Sequence, residues 1–503
     1  MNNIRFWEMI CNHIKDDIDT DLQRNDIENA ISKIRVVEVL SSMNAEFLDQ
    51  RLESQINSIS RNLFTTSPTY NPIHKNVVFC DSMMWDFHGL TQQYLRALMA
   101  LEYNILYIKT SVSSHPSDNI EKELSDYGKY SIIKFSKKQR NIERVKQIYE
   151  AIVVNRPELI LIHSFSVFDA IALLPFESTP RYRVNLGNHL SWIGVSCTDY
   201  LIDFNNWGYT ISIQKRGFDK EKIYKLPFYP IDSEYPFEGF PSSVTDDRVV
   251  MFSGGATYKI IDDNSTFLHL VRRLLIENPS LVFLYAARDS DQYLINFIEK
   301  YNLKDRFILI GYRSDINEVI KHIDIYLQTY PIGGSLMEKY AIINKKPILA
   351  YVKPERLSFD LQVDDRPIVV GSDSYKKAYA DQEEFCREAN KLISDNSYRH
   401  SVGADLHKYC ITPEIFNKEF HNIINNSKDK LAFKNQVVTV DYQGLRKEYN
   451  ENCITNINSY ILTLLSVYRF KTLIKFRSLI IHYPKHFISS IGNYIGKRIK
   501  RVF

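Results

Sequence analysis

The sequence lacks several features that mark common classes of protein. It contains no run of ~18 or more apolar residues, so no single helix is expected to span a membrane. Residues 1–17 lack the continuous apolar core of a signal peptide. The six cysteines are widely scattered, and none belongs to a Cys/His cluster with zinc-ligand spacing. We therefore expect a cytosolic protein with reduced thiols.

Acidic residues are missing from the end of the chain. No Asp or Glu follows Glu451, whereas residues 452–503 contain nine Lys and Arg. The first 451 residues carry 54 Lys and Arg against 60 Asp and Glu, so the net charge of +3 combines an acidic body with a basic tail. So small a net charge argues against a dedicated nucleic-acid binder. The 44% apolar and 24% charged residues are typical of globular proteins.

Short apolar runs recur in both halves of the chain, at intervals that leave room for helices. They lie at residues 76–80, 104–108, 131–135, 159–162 and 200–204, and then at 249–252, 281–285, 307–310, 323–327, 347–351 and 367–370. Near-continuous apolar strands separated by helices indicate parallel sheets covered on both faces. The sequence therefore predicts an α/β protein with two successive domains.

Changes in composition along the chain predict the domain boundaries. Residues 1–70 show helical spacing and end at a turn-rich segment, which predicts a helical N-terminal extension. A polar, Pro-rich break at 233–247 separates two Rossmann-like domains, predicted at 71–235 and 245–430. Residues 452–503 form the basic, amphipathic tail.

A first glycine-containing loop follows the run at 249–252. It contains Gly254, Gly255 and Lys259. Paired glycines let a backbone approach a ligand closely, and a lysine can neutralise a diphosphate. Taken alone, the segment reads more simply as a tight strand-to-helix turn with a surface lysine.

A second such loop follows the run at 323–327. Gly333, Gly334 and Ser335 precede a predicted helix at 336–343, whose N-terminus would favour an anion. Glu338, in the first turn, could accept hydrogen bonds from ribose hydroxyls, or it could be a surface residue that suits the helix dipole. Tyr312 follows a strand at the same edge, where it could border a nucleobase or be an ordinary half-buried aromatic residue.

Residues 249–351 resemble the nucleotide-sugar half of GT-B glycosyltransferases. The resemblance lies in FSGGATYK, in RFILIGYRSDINEVIKHIDIYLQTYPIGGSLMEKYAIINKKPILAY and in the later helical EEFCREANKLISDNSYRHSVG. In the first half, NLGNHLSWIGVSCTDYL and KLPF resemble bacterial N-glycosyltransferases and O-linked N-acetylglucosamine transferases. The likeness covers about residues 75–425. It implies a GT-B fold, with two Rossmann-like domains facing a cleft.

The resemblance assigns roles to several of these residues. Lys259 matches the diphosphate-binding base, Glu338 matches the acidic ribose ligand, and the Gly333–Ser335 loop matches the segment that faces the donor phosphates. Many retaining members carry a second Glu eight positions before the ribose carboxylate, where this sequence has Tyr330. The resemblance therefore favours an inverting reaction that needs neither cofactor nor metal.

An inverting transfer needs a base for the acceptor hydroxyl. In a GT-B protein this base comes from the N-terminal domain, where His88 and Asp86 lie in the first strand-to-helix loop. Asp81, His163 and His189 are further candidates. In the family pattern a His directly follows the Gly, whereas here Asn188 separates Gly187 from His189. A loop histidine is also commonly a capping residue.

The tail combines basic, aliphatic and aromatic residues without acids. Residues 459–503 therefore suit an in-plane anchor on an anionic membrane. Packing on an acidic face of the same protein or of a partner is an alternative, and RNA binding is a third.

Together these features predict a glycosyltransferase on the cytosolic face of the membrane. It would move a sugar from a nucleotide-diphospho-sugar, a UDP-sugar by resemblance, to a glycan or lipid-linked acceptor. By analogy it would serve a bacterial surface polysaccharide such as lipopolysaccharide or capsule. A UDP-sugar epimerase of the same fold and a non-catalytic GT-B subunit of a glycan-synthesis complex remain alternatives.

Overall fold

The computed structural model describes residues 3–499 except 45, 85, 87, 88, 111–116, 232–234, 288–291, 353–367, 371 and 372. The chain divides into two compact units. Unit 1 comprises Met1–Leu226 together with Phe420–Phe503, and unit 2 comprises Pro227–Glu419. The N-terminal extension and the basic tail thus both fall within unit 1.

Unit 1 is built on a seven-stranded parallel sheet in the order β3-β2-β1-β4-β5-β6-β7. The strands are β1 (Asn76–Asp81), β2 (Asn104–Lys109), β3 (Tyr130–Lys134), β4 (Leu159–His163), β5 (Arg181–Val184), β6 (Tyr200–Asp203) and β7 (Ile223–Lys225). Val77–Cys80 are completely buried, as expected of a parallel strand with both faces covered.

Helices precede, connect and follow these strands. They are α1 (Asn3–Gln23), α2 (Ile27–Ser41), α3 (Gln50–Leu63), α4 (Leu90–Ala100), α5 (Asp118–Tyr127), α6 (Asn141–Asn155), α7 (Val167–Leu173) and α8 (Asn206–Gln214). The first three form a layer with α6 and α7, because α3 packs on α7 and α2 packs on α6.

Unit 2 has a six-stranded parallel sheet in the order β10-β9-β8-β11-β12-β15. Its strands are β8 (Val249–Gly254), β9 (Leu281–Ala286), β10 (Phe307–Leu309), β11 (Ile325–Leu327), β12 (Ile348–Tyr351) and β15 (Ala378–Tyr379), while β13 (Ile368–Val370) and β14 (Asp373–Tyr375) form a separate antiparallel pair. The helices are α9 (Thr266–Glu277), α10 (Gln292–Lys300), α11 (Ile316–Lys321), α12 (Ser335–Ile343), α13 (Gln382–Ser394) and α14 (Asn396–His407), and α15 (Pro413–Ile424) continues into unit 1.

The last part of the chain is helical and packs on α1. It comprises α16 (Tyr442–Tyr468), α17 (Lys471–Lys475), α18 (Ser478–His482) and α19 (Pro484–Ile499). The Trp7 ring stacks on Tyr483 at 6.0 Å between centroids and meets Tyr460 edge-on at 4.9 Å. Lys475 forms an ion pair with Asp17. No described helix is long and apolar enough to cross a membrane.

The α/β fold predicted from the sequence is confirmed, although some strands differ. The sequence did not predict β5, β7, β14 or β15. The run at 367–370 was expected to continue the parallel alternation, but Ile368–Val370 pairs antiparallel with β14 outside the main sheet. The sixth strand of that sheet is the two-residue β15.

Candidate functional site

The sheet of unit 2 reverses its strand order between β8 and β11. From β8 the chain moves outward to β9 and β10, and it then returns to the other side of β8 at β11. In open parallel sheets, ligands bind beyond the carboxyl ends of the strands at such a point. The loops that leave β8 and β11 are the two in which the sequence predicted donor contacts.

The loop after β8 is held against the neighbouring strand. Gly254 is the last residue of β8, and Gly255 has φ +153°, a conformation that favours glycine. The Gly255 amide donates to the Ala286 carbonyl at 2.9 Å, and the Gly255 carbonyl accepts from the Tyr285 hydroxyl at 3.0 Å. A short 3-10 helix at Thr257–Lys259 follows, and α9 begins at residue 266.

Lys259 is the last residue of this 3-10 helix and lies beside the second loop. A Cβ added at Gly334 would lie 3.6 Å from the Lys259 Nζ, and a Cβ at Gly255 would lie 3.4 Å from its Cδ. Burial lowers the pKa of Lys259. Its ammonium group makes no ion pair with any residue that the structure describes. A partly desolvated cation between two glycine-containing loops is suited to bind an anion.

Gln328 organises the loop after β11. Its side-chain oxygen accepts from the Tyr326 hydroxyl at 3.0 Å and from the Gly334 amide at 3.1 Å. Its Nε2 donates to a Glu338 carboxylate oxygen at 2.8 Å. A Cβ at Gly333 would lie 3.0 Å from that same nitrogen, so a larger residue there would crowd Gln328.

Glu338 lies in the first turn of α12 and is 7% exposed. One carboxylate oxygen accepts from Gln328, and the other pairs with the Lys377 Nζ at 2.8 Å. Lys377 is 3% exposed. Glu338 is therefore a buried member of an ion pair rather than a surface residue. Each carboxylate oxygen retains a lone pair for a further donor.

Ser335 and Tyr312 are the other residues that the sequence predicted to contact the donor. Ser335 is the first residue of α12, next to Gly334. Tyr312 is 48% exposed and follows β10, which lies at the edge of the sheet and is separated from β8 by β9. The structure thus brings Gly255, Lys259 and Gly334 together, and it places Tyr312 two strands away.

Unit 1 contains the predicted catalytic residues. His88 lies outside the described residues. The Asp86 carboxylate accepts hydrogen bonds from the Asn119 and Ile120 amides, each at 3.1 Å, and thereby caps the start of α5. His189 is exposed, with its Nδ1 3.4 Å from the Asn188 side-chain oxygen.

Asp81 and His163 form a buried pair at the end of β1 and β4. Their side chains meet at 3.0 Å between a carboxylate oxygen and Nδ1, and neither is more than 1% exposed. The other carboxylate oxygen accepts from the Thr91 and Tyr107 hydroxyls at 2.8 and 2.5 Å. Burial alone would raise the pKa of Asp81, but His163 and these hydrogen bonds hold it below its ordinary value.

The ionised Asp81 fixes the tautomer of His163. Because the carboxylate accepts the Nδ1 proton, the neutral imidazole presents an unprotonated Nε2. That nitrogen is buried and has no hydrogen-bond partner in the described part of the chain. The pair therefore holds the imidazole in one orientation, with its Nε2 enclosed by the fold.

Comparisons with known proteins agree with this architecture. No family model and no curated protein matches the sequence. A glycosyltransferase from Rickettsia africae is similar in structure at 12% identity, with a TM-score of 0.51 over 72% of this chain and 100% of its own. HepE from Anabaena, in complex with UDP-glucose, is similar at 12% identity, with a TM-score of 0.50 over 70% of this chain and 99% of its own. The chain has the GT-B fold.

Two residues that organise the loops of unit 2 were missed by sequence reasoning. Gln328 directly follows β11, a position that could have marked it as a candidate. Lys377 is 39 residues from Glu338 and gives no local signal of its role. Among the residues that the structure describes, no group of three or more His, Cys, Asp or Glu is arranged to hold a metal ion.

Proposed function

We propose that the protein is an inverting glycosyltransferase that moves a sugar from a UDP-sugar to a glycan or lipid-linked acceptor without a metal ion. The observation that carries this proposal is Lys259, a cation without an acidic partner in the described chain, beside Gly334 at the strand-order reversal of unit 2. Its positive charge has no evident structural use, and a nucleotide diphosphate would supply the missing negative charge.

In the proposed reaction, unit 2 would stabilise the leaving diphosphate. Negative charge grows on that group as the bond to the sugar breaks, and preorganised cations and amides lower the barrier. Lys259 provides the cation, and the N-terminus of α12 provides free amides beside it. Glu338, which Lys377 holds in place, would accept hydrogen bonds from the ribose hydroxyls.

The acceptor hydroxyl must lose a proton as it attacks. In unit 1 the Asp81–His163 pair supplies an oriented base whose Nε2 is an acceptor, and an acceptor hydroxyl would have to reach this buried atom to lose its proton to it. The sequence candidates His88, Asp86 and His189 stand beside it as alternatives. The Asp86 carboxylate already has a structural use as the cap of α5.

The structural neighbours support the choice of donor. HepE is described in complex with UDP-glucose, and the Rickettsia protein is described as a glycosyltransferase. A UDP-sugar donor for this chain is the simplest extension of that likeness.

The reaction itself can be tested with a panel of UDP-sugars and a bacterial cell-envelope lipid extract. A transferase releases UDP and incorporates sugar into the extract. An epimerase changes the UDP-sugar without stoichiometric release of UDP, and a non-catalytic subunit does neither. Either of the last two results, obtained with folded protein that binds UDP, would overturn the assignment.

The base is tested by comparing His163→Gln with His189→Gln. If His163 accepts the proton, its variant loses roughly 100-fold or more in turnover while UDP affinity is retained. His189→Gln then serves as the control. A larger loss in the His189 variant would move the base role there.

We also infer that the tail places the enzyme on the inner face of the plasma membrane. Ile474, Ile481 and Ile488 recur every seven residues and are 82%, 76% and 73% exposed. Five exposed basic residues accompany them: Arg469, Lys471, Lys475, Arg477 and Lys485. Exposed aliphatic side chains among basic residues favour binding to anionic lipid.

Flotation with anionic liposomes tests this location. The triple variant Ile474→Gln/Ile481→Gln/Ile488→Gln should lose binding and keep its melting temperature, because these side chains are exposed. Val154→Gln, at a 78% exposed position in α6, is the matched control and should float like the wild type. Equal flotation of all three proteins would remove the membrane assignment.

A further inference from the structure

Unit 1 contains an open cavity at the carboxyl edge of its own sheet. The cavity measures about 420 Å³ and is lined by Ser82 after β1, Thr110 after β2 and Phe165 after β4. The strand order of this sheet reverses between β1 and β4, so the cavity lies where ligands of parallel sheets bind. None of the residues proposed so far for donor binding or proton transfer lines it.

Two arginines reach this cavity from different helices. Arg35 belongs to α2 and Arg144 to α6, and both line it. Their guanidinium carbons lie 5.4 and 5.3 Å from the centre of the same Phe168 ring. Two positive charges are thereby held beside one aromatic side chain, although like charges repel each other.

Acidic partners for these arginines are missing from the described part of the chain. Arg144 is 5% exposed, and it donates one hydrogen bond, to the Ser136 carbonyl at 2.7 Å. Its Nε is buried without a partner. Neither arginine makes an ion pair with a described residue. Burying the unpaired charge of Arg144 is costly, so a bound anion would stabilise this arrangement.

Two carboxyl groups near the arginines, Glu38 and Glu28, balance their charge only in part. Burial raises the pKa of Glu38, which also lines the cavity, to about 8 despite the attraction of Arg35, so this group is mostly protonated near neutral pH. Both carboxylate oxygens of Glu28 accept from the Asn141 and Ile142 amides at the start of α6. Burial and the neighbouring Arg35 lower the pKa of Arg144, and the attraction of Glu28 offsets them only in part.

We propose that this cavity binds a phosphate group, held by Arg35 and Arg144, and that the phosphate belongs to the acceptor. The planar guanidinium group matches phosphate oxygens in pairs, and Ser82 and Thr110 line the cavity beside the two arginines. The cavity exceeds the volume of a phosphate ion and leaves room for the group that carries it. The identification with the acceptor rests on the proposed glycosyltransferase function, whereas the phosphate site itself does not.

Calorimetric titration of the full-length protein with inorganic phosphate, at constant ionic strength in sodium chloride, tests the site. Arg35→Gln and Arg144→Gln should each weaken binding by roughly tenfold or more relative to the wild type. Arg24→Gln, an exposed arginine after α1, is the control and should bind normally. Since the Arg35 side chain is exposed, its variant should fold even if the Arg144 variant does not. Phosphate binding by Arg35→Gln as tight as by Arg24→Gln would overturn the proposal.

Two phosphate-bearing probes then distinguish the source of the group. Glucose 1-phosphate represents a free sugar phosphate, and dihexanoyl phosphatidic acid below its micelle concentration represents a lipid headgroup. The probe that binds the wild type more tightly identifies the class of acceptor, provided that Arg35→Gln weakens its binding. If each probe binds Arg35→Gln as tightly as it binds the wild type, the proposed site is wrong. UDP should bind to the arginine variants as tightly as it binds to the wild type. Failure of the wild type to bind UDP would count against the donor site alone.

Discussion

Two lysines of unit 2 differ in how their charge is balanced. Lys377 is buried against Glu338 at 2.8 Å, whereas Lys259 lies beside Gly334 without an acidic partner in the described chain. A buried pair is expensive to break, because removing one partner leaves an uncompensated charge. A partly buried lysine without an acidic partner costs some stability, which an anionic ligand would offset. We therefore assign a structural role to Lys377 and a ligand-binding role to Lys259.

Replacement of Lys377 tests the structural half of this assignment. Lys377→Met should cost about 3 kcal/mol in the free energy of unfolding of unit 2, because Glu338 is left buried without its cation. The double variant Lys377→Met/Glu338→Gln should recover part of that loss, since a neutral amide needs no counter-charge. Urea denaturation followed by circular dichroism measures both. A single variant as stable as the wild type would show that the pair contributes no stability.

Glu38 makes the stability of unit 1 depend on pH. Its pKa is about 8 in the folded protein, mainly because of burial, against an ordinary value of 4.5. The folded state therefore holds this proton between pH 4.5 and 8 while the unfolded state releases it, so the contribution of Glu38 to stability falls as pH rises through that window. Glu38→Gln removes this pH-dependent decrease in stability. The melting temperature of the variant minus that of the wild type should therefore increase from pH 5 to pH 8.

Glu150→Gln, at an exposed position of α6, is the matched control for this pH series. Its difference from the wild type should not grow in the same direction. If the Glu38→Gln difference is constant between the two pH values, the carboxyl is ionised in the folded protein, and Arg35 has a counter-ion after all.

At the scale of elements, apolar runs predicted most strands and missed those with charged residues. β1, β2, β3, β4 and β6 follow the predicted runs closely. β5 was missed because it contains Arg181 and Arg183, which no apolar pattern includes. Both are buried, and Arg181 pairs with Asp199 while Arg183 donates to the Ser164 carbonyl at 2.6 Å. Such compensation depends on residues that come together only in the fold.

The tail shows the same limit of sequence reasoning. Its composition indicated a surface helix, but the structure divides it between a packed face and an exposed one. Phe476, Leu479 and Phe487 are buried, whereas Ile474, Ile481 and Ile488 are exposed. Helical periodicity alone could not say which apolar residues pack on α1, because several short helices share that contact.

Removal of the tail should therefore lower the stability of unit 1, whether or not the tail binds lipid. Truncation after residue 451 exposes the α1 surface around Trp7, which Tyr460 and Tyr483 now cover. We expect the melting temperature to fall by roughly 5 °C or more and aggregation to increase, because a large aromatic contact is lost. Calorimetry with light scattering measures both. A truncated protein as stable and soluble as the wild type would mean that the tail does not stabilise unit 1.

At the scale of the whole molecule, charge and chemistry are distributed between the units. The acidic body contains two sets of cations that we propose to bind ligands, Lys259 in unit 2 and the Arg35–Arg144 pair in unit 1. Each lies at the strand-order reversal of its own parallel sheet. The net charge of +3 concealed this arrangement, because the nine basic residues of the tail offset the acidic surface.

The candidate site was only partly predictable from the sequence. The glycines and Lys259 lie within local motifs, so their positions after β8 and β11 were sufficient to single them out. Gln328 and Lys377 act through contacts that no local pattern encodes. The pairing of Asp81 with His163 required the parallel register of β1 and β4, which sets those two residues side by side. Local sequence thus predicted the loops, and the topology of the sheets supplied their partners.

The central claim is that unit 2 binds a UDP-sugar through Lys259, and UDP titration calorimetry tests it most directly. The comparison uses the wild type, Lys259→Met and the control Lys376→Met, whose lysine is exposed next to Lys377. We predict that the wild type and Lys376→Met bind UDP with similar affinity and that Lys259→Met binds at least roughly tenfold more weakly. Binding of UDP by Lys259→Met as tight as by the wild type, or no binding by the folded wild type, would contradict the account.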